Sequence, residues 1–167
     1  MHDRIRTVSD ERAGYVRVRF RLERDEDGWP PAESEGLWAV PVGGGVYRID
    51  NTPWFAQDVA ADDLFRVEAD ADGRLWAGER LHWSGNCTIR VIPFAEGPLA
   101  GSQQAVLDLF LPMGAAGEAY GSRLNIVALT IPPSADLPGI KRTLKRGEAN
   151  GSWAFEEGCI SSAWASA

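Results

Sequence analysis

Short stretches of alternating apolar and polar residues run through the first half of the chain. In residues 15–22, apolar side chains alternate with three arginines, which is the period-two pattern of a strand with one buried face. Glycines at 43–45 separate two further apolar runs, and the dipeptide Asp72-Gly73 separates another two, so each pair of runs predicts a β-hairpin. These five strands predict a small β-barrel or a curled antiparallel sheet.

The two longer segments between these strands are predicted to be loops. Residues 24–36 are acidic and contain Pro30 and Pro31, which lack the amide hydrogen that regular structure needs. Residues 51–63 join the two hairpins, and we expect them to include one short helical turn.

Two helices are predicted in the second half of the chain. Ser102 can cap a helix that runs until Pro112. The second helix has the clearest signals, with Asp136 as its N-cap, Pro138 in its first turn and basic residues near its C-terminal end. We expect this helix to stop just before Gly147.

Strands are expected on both sides of these helices, at residues 88–94, 118–121, 124–131 and 152–159. The resulting order, βαββαβ, is the split arrangement called ferredoxin-like. The predicted class is therefore α+β, with an N-terminal small β-barrel or curled antiparallel sheet followed by a ferredoxin-like domain.

The domain boundaries follow from this order of elements. We expect a flexible N-terminus over residues 1–13, a β-barrel-like domain over 14–86, the ferredoxin-like domain over 87–160, and a C-terminal tail over 161–167.

The first and last strands of a ferredoxin-like domain are antiparallel neighbours, so their pairing can be predicted. One register places Cys87 opposite Cys159, Arg90 opposite Glu156 and Val91 opposite Phe155. Apolar side chains then face the helices, while Arg90 and Glu156 face outward or toward the first domain. We expect the two cysteines to be close neighbours and to remain thiols.

The charge of the chain argues against several partners. Its net charge is −7 and its pI is about 4.8, so its field repels nucleic acid and anionic lipid surfaces. No stretch is apolar enough to span a membrane, and the first residues are too charged for an export signal. We therefore expect a cytoplasmic protein that binds neither nucleic acid nor membrane.

The sequence lacks the usual motifs of metal and cofactor sites. Two histidines and two cysteines without CxxC or HExxH spacing supply too few ligands for zinc, and no acidic loop has calcium spacing. The glycines at 43–45 join strands instead of opening a helix, so they form a turn and not a phosphate loop. We expect neither a metal nor a cofactor.

Polar residues concentrate where the two predicted domains meet. His82 and Ser84 lie in this segment, but the GxSxG elbow of a serine nucleophile is absent. Trp54 lies on the predicted loop 51–63, where it could form a contact surface or close the mouth of the barrel. The candidate binding residues are Asn51, Trp54, Phe55, His82, Ser84, Asn86, Arg90 and Glu156.

Several segments carry a family resemblance, namely residues 36–40, 47–56, 84–91, 144–147 and 151–157 together with Asp63. Through them the chain resembles, over about residues 14–160, the bacterial family called domain of unknown function 4265. Such proteins often have histidine in place of Asn86 and a small hydroxyl residue in place of Cys87, which argues against an acid or base role here. The resemblance implies no activity and no catalytic residues.

Three functions fit the sequence. The leading one is a non-catalytic cytoplasmic binding or regulatory module whose inter-domain cleft accepts a protein segment or a small molecule. The second is a small enzyme acting on a peptide or metabolite through Cys87 or Ser84 with Glu156. The third is an immunity-type protein whose acidic surface neutralises a basic toxin.

Overall fold

The computed structural model describes residues 14–120 and 124–167, so the predicted flexible N-terminus lies outside the described residues. The first lobe, called the barrel lobe, contains β1 (Val16–Arg21), β2 (Ser34–Gly43), β3 (Val46–Ile49), β4 (Leu64–Ala69) and β5 (Leu75–His82). The second, called the mixed lobe, contains β6 (Cys87–Pro93), α1 (Gln103–Phe110), a 3₁₀ turn (Leu111–Met113), β7 (Ala116–Ala119), β8 (Val127–Ile131), α2 (Leu137–Ala149), β9 (Trp153–Cys159) and α3 (Ser162–Ser166).

The five strands of the barrel lobe form a closed barrel in chain order. Neighbouring strands pair antiparallel, and a parallel pairing of β1 with β5 closes the barrel. Alternate residues of β1 point inward, where Val18 and Phe20 join the core, while the arginines between them face outward. The predicted barrel and both hairpins are confirmed, and Gly43, Gly44, Gly45 and Gly73 all have the positive φ that their turns require.

The segment 51–63 between β3 and β4 contains no helical turn, so that expectation is wrong. We call this segment the junction loop. Its backbone amides at Trp54, Phe55 and Ala56 donate to the Glu35 carboxylate instead of forming the hydrogen bonds of a helix. The loop therefore owes its shape to a side chain of β2.

The mixed lobe is a four-stranded antiparallel sheet in the order β7-β8-β6-β9, with helices packed on one face. Ile89 and Val91 of β6 contact a core to which α1 contributes Phe110 and α2 contributes Leu144. The molecule is therefore an α+β protein with a closed barrel and a second, helix-covered sheet. In the described part of the chain, none of the helices is long and apolar enough to cross a bilayer.

Both predicted helix caps are confirmed, because the side chains of Ser102 and Asp136 accept hydrogen bonds from the first turns of α1 and α2. The predicted end of α2 is wrong, since the helix continues through Gly147 to Ala149. A Cβ on Gly147 would lie 2.1 Å from the ring of Trp153, so this glycine serves close packing and not helix termination.

The segment beyond β9 contains the short helix α3, which is capped by Ser161. Trp164 on this helix is fully buried in the core of the mixed lobe. Lys141 of α2 donates to the Trp164 backbone carbonyl at 2.9 Å. The last turn of the chain thus packs as part of the core.

The predicted register between β6 and β9 is confirmed for Arg90 with Glu156 and for Val91 with Phe155. The predicted pairing of Cys87 with Cys159 is wrong, because a bulge near Gly158 puts Cys159 opposite Thr88. A Cβ on Gly158 would lie 2.6 Å from Arg90 Nη2, so glycine at this position leaves space for that guanidinium. Both cysteines are free thiols.

Candidate functional site

Glu35 anchors the junction loop to the barrel lobe. This residue lies on β2 on the same side as the buried Leu37, and its side chain is itself buried. Its carboxylate accepts backbone N–H groups from Trp54 at 2.6 Å, Phe55 at 2.9 Å and Ala56 at 2.8 Å. Three such hydrogen bonds compensate a buried charge and fix the backbone that carries Trp54 and Phe55.

Arg90 anchors the same loop to the mixed lobe. The guanidinium is almost fully buried, and Nη1 donates to the carbonyls of Pro53 at 3.3 Å and Ala56 at 3.1 Å. The neighbouring hydroxyl of Thr88 donates to the carbonyl of Val59 at 2.8 Å. The polar face of β6 is therefore the surface on which the junction loop lies. Of the two orientations that the sequence leaves open for Arg90, outward or toward the first domain, the structure has the second.

Glu156 completes the Arg90 contact. Its Oε1 accepts from Arg90 Nη2 at 2.6 Å and also from Gln57 Nε2. Burial alone would raise the pKa of Glu156, but the hydrogen bond and charge of Arg90, with help from Gln57, hold that pKa below its usual range. Within the described residues, Oε2 of this carboxylate has no hydrogen-bond partner.

Ser84 and Asn86 form a second attachment at the other end of the junction loop. The Ser84 amide donates to Asp63 Oδ1 at 2.8 Å, and its hydroxyl donates to the Ala61 carbonyl at 2.8 Å. Asn86 Nδ2 donates to the same carbonyl at 2.9 Å. The polar segment at the predicted domain boundary thus binds the protein's own junction loop.

The two cysteines have different surroundings. Cys87 faces the helix-covered core, 3.6 Å from the hydroxyl of Ser161. Cys159 lies on the other side of the sheet near Arg80, Asp58 and Asp63. Burial, together with Asp63 and Asp58, raises the pKa of Cys159 to about 11 in spite of Arg80, so the residue stays a thiol near neutral pH.

An open cleft of about 450 Å³ lies between the loop that follows β1, the junction loop and β9. We call it the seam cleft. Its lining includes three aromatic side chains, Trp29, Trp54 and Phe55, together with Gln57, Arg90 and Glu156. The volume falls within the range of small-molecule sites.

The aromatic side chains of the cleft support one another. Trp29 meets Phe55 edge-on with ring centroids 5.6 Å apart, and Trp54 meets Tyr120 at 4.9 Å. Asp25 Oδ1 accepts the backbone amide of Trp29 at 2.9 Å, which holds the loop after β1 in place. A smaller cleft of about 350 Å³ lies on the other side of Trp54 and Phe55.

The structure brings together only part of the predicted site. Trp54, Phe55, Arg90 and Glu156 line the seam cleft, and Asn51 lines the smaller cleft, where its side chain also accepts the Trp38 amide. Ser84 and Asn86 line neither cleft. His82 lies exposed on β5, opposite Leu64, and lines neither cleft as well.

Sequence reasoning missed Trp29, Gln57 and Glu35. A signal existed for Glu35, because it has the same strand parity as the inward-facing Leu37 and Ala39, and an acid on a buried face needs partners. A tryptophan within an acidic loop was a similar signal for Trp29. Gln57 had no signal in the sequence.

Within residues 14–120 and 124–167, no group of three or more histidine, cysteine, aspartate or glutamate side chains could hold a metal ion. The chemistry of the seam cleft is therefore that of aromatic rings, two guanidinium groups and several carboxylates.

Comparisons with known proteins agree with this architecture. The model of a family described as Domain of unknown function (DUF4265) matches residues 35–155. A crystal structure of a hypothetical protein from Neisseria gonorrhoeae is similar with a TM-score of 0.70 at 20% identity, covering 87% of this chain and 96% of that one. At this identity the likeness establishes the fold alone. No curated protein matches the chain.

Proposed function

We propose that this chain, which belongs to the DUF4265 family, is a non-catalytic binding module that accepts a ligand in its seam cleft. One observation carries the proposal: Trp29, Trp54 and Phe55 converge on an open cleft at the junction of the two lobes. Aromatic side chains that border open space on a fixed backbone provide contact area at a low cost in conformational entropy.

The hydrogen bonds that fix the backbone of the junction loop support this proposal. Glu35, Arg90 and Thr88 hold its backbone from two sides, so the aromatic residues that it carries are already positioned before any ligand arrives. A preorganised site avoids the cost of ordering loops on binding. The ligand could be a small molecule or a side chain that projects from a protein segment.

The alternative of an enzyme has less support. Neither Cys87 nor Ser84 contacts Glu156: the thiol faces the core, and the Ser84 hydroxyl donates to the Ala61 carbonyl. A nucleophile needs a base within hydrogen-bond reach, and no histidine provides one in the described chain. These contacts favour binding over catalysis.

Two finer expectations stay proposals. The order β7-β8-β6-β9 with antiparallel pairs and helices on one face supports a ferredoxin-like mixed lobe. Two free thiols support a reducing compartment such as the cytoplasm. A second candidate function, neutralisation of a basic toxin, would use the acidic side chains beside the seam cleft.

The test is a ligand screen with a matched pair of phenylalanine variants. A fragment library of small organic molecules would be screened by saturation-transfer NMR against the wild-type chain, Phe55→Ala and Phe94→Ala. Phe94 is the control, because it is 43% exposed but lies outside the seam cleft. We expect fragments to bind the wild type and Phe94→Ala, and to lose most of their signal with Phe55→Ala.

Circular dichroism and thermal unfolding would establish that both variants keep the fold. If the hits bind equally well to folded Phe55→Ala and to Phe94→Ala, the seam cleft is not the binding site and the proposal fails. A complete absence of hits from the seam cleft would also count against it.

A further inference from the structure

We infer that the ligand of the seam cleft is cationic: a protein segment that places a lysine or arginine side chain in the cleft, against Trp29, Trp54 and Phe55. This inference rests on the proposed function and names the chemistry of its ligand. It follows from the charges that line the cleft and from which of them already have partners.

The two cations of the cleft are already engaged within the protein. Arg90 donates to the Pro53 and Ala56 carbonyls and to Glu156. The guanidinium carbon of Arg21 lies 4.2 Å from the centroid of the Trp76 ring, in a cation–π contact. An anionic ligand would have to displace the partners of Arg90, and at Arg21 it would meet a guanidinium whose face is covered by Trp76.

The carboxylates of the cleft retain free oxygens. Toward the residues that the structure describes, Glu156 uses only Oε1, and Asp25 uses only Oδ1, which accepts the amides of Asp27 and Trp29. Glu23 is exposed on the rim and makes no side-chain hydrogen bond to the described residues. Because the pKa of Glu156 is lowered, this group stays ionised at neutral pH.

The aromatic rings add a second attraction for the same kind of ligand. A cation over the face of a tryptophan or phenylalanine is stabilised by the ring quadrupole, and more strongly when water is excluded. Aromatic rings combined with ionised carboxylates form the usual recognition site for ammonium and guanidinium groups. Both features of the seam cleft therefore select a cation.

The surroundings of the cleft favour a protein segment over a small cation. The loop after β1 adds the exposed acids Glu26 and Asp27 next to the cleft, and its one exposed cation, Arg24, donates to the Pro30 and Gly28 carbonyls of the same loop. The whole chain carries a net charge of −7. A segment with several basic residues could place one side chain in the cleft and its neighbours against this loop.

Isothermal titration calorimetry with defined peptides tests the inference. The probes are a nine-residue peptide of alternating lysine and glycine, the same peptide with glutamate or with glutamine in place of lysine, and choline chloride. We expect the lysine peptide to bind one to one, the glutamate peptide not to bind, and affinity for the lysine peptide to fall several-fold as salt rises from 50 to 500 mM, as roughly expected for screened charges.

Charge-neutral variants supply the second arm. The double substitution Glu23→Gln with Glu156→Gln should weaken binding of the lysine peptide by about ten-fold. Glu148→Gln is the matched control, because Glu148 is an exposed acid near the end of α2 and does not line the cleft. Should Glu156→Gln alone disturb the fold, Glu23→Gln is a surface change that should still weaken binding.

The outcomes separate this inference from the proposed function. Three results would overturn the inference of a cationic segment. They are equal affinity for the lysine and glutamine peptides, binding of choline without binding of the lysine peptide, and a loss of affinity for Glu148→Gln as large as that for the double variant. If neutral fragments still bind in a Phe55-dependent way, the binding module stands and only this inference fails. If neither fragments nor peptides bind, both fail.

Discussion

The two faces of the mixed-lobe sheet use the same strands for different purposes. On one face, Ile89 and Val91 of β6 pack with helices in an apolar core. On the other, Thr88 and Arg90 of the same strand donate hydrogen bonds to the carbonyls of the junction loop. One face is stabilised by removing apolar area from water, and the other by satisfying polar groups of a neighbouring backbone.

This difference explains where a binding site could form. Helices cover one face of the sheet, and the buried polar groups of the opposite face are hydrogen-bonded to the junction loop. Side chains at the edge of that contact, such as Trp54 and Phe55, border open space in the seam cleft. The polar segment at the boundary of the lobes is therefore structural, while the open surface combines aromatic rings with charged side chains.

The largest expected effect concerns the apolar face. Gly147→Ala would place a Cβ 2.1 Å from the Trp153 ring, and a buried indole cannot move without repacking the core. We expect a loss of about 3 kcal/mol in the free energy of unfolding, measured by urea denaturation. Glu148→Ala, at the next and exposed position of α2, is the control and should change stability by less than about 0.5 kcal/mol. Similar values for both variants would contradict the tight packing.

A smaller loss is expected on the polar face. Arg90→Met keeps much of the side-chain volume but leaves the carbonyls of Pro53 and Ala56 without their donor. We expect a loss of about 2 kcal/mol by urea denaturation. Arg66→Met, at an exposed position of the barrel, is the matched control and should be nearly neutral. If Arg90→Met were equally neutral, the polar face would not hold the junction loop.

Removing the charge of Glu35 tests the barrel side of the same loop. Glu35→Gln retains an acceptor oxygen but loses the negative charge shared by three backbone amides. The expected loss is about 1.5 kcal/mol in thermal or urea unfolding. Glu33→Gln removes the same charge from an exposed neighbour, and a loss as large as that for Glu35→Gln would show that the amide contacts are unimportant.

The smallest effect is the pH dependence of the Glu156 contact. Because Arg90 lowers the pKa of Glu156, the carboxylate stabilises the fold above its ordinary pKa of 4.5, and this contribution is lost as pH falls through the lower pKa of the folded state. Solvent screens this half-exposed group, so wild type should exceed Glu156→Gln by only about 0.5 kcal/mol at pH 6. The difference should shrink toward zero by pH 3, and a difference that grows on acidification would contradict the pairing.

Local rules predicted much of the architecture. Alternation in β1, glycine turns in both hairpins, and the caps Ser102 and Asp136 each act over a few residues, so they could be read from the sequence. The Arg90 and Glu156 pair was also predictable, because strand register and charge pointed to the same partner. These features specify elements and their neighbours.

Features that depend on distant contacts could not be predicted. The bulge at Gly158 shifts Cys159 away from Cys87, and the Arg90 guanidinium occupies the space beside that glycine. Gly147 looked like a helix stop, and only the position of Trp153 shows that it is a packing site. Trp29 reaches the seam cleft through the fold of an acidic loop, which alternation does not describe. Four of the eight predicted site residues, Trp54, Phe55, Arg90 and Glu156, line the seam cleft. Polarity located the junction of the lobes but did not distinguish internal anchors such as Ser84 and Asn86 from open surface.

Chemical-shift mapping with the lysine peptide tests the central claim most directly. In ¹⁵N-labelled protein, we predict that the largest shifts will fall on the indole N–H groups of Trp29 and Trp54 and on the side-chain amide of Gln57. The indole of Trp153, inside the helix-covered core, should not move. Shifts confined to the outer surface of the helices, or no shift in the seam cleft at saturating peptide, would contradict the account.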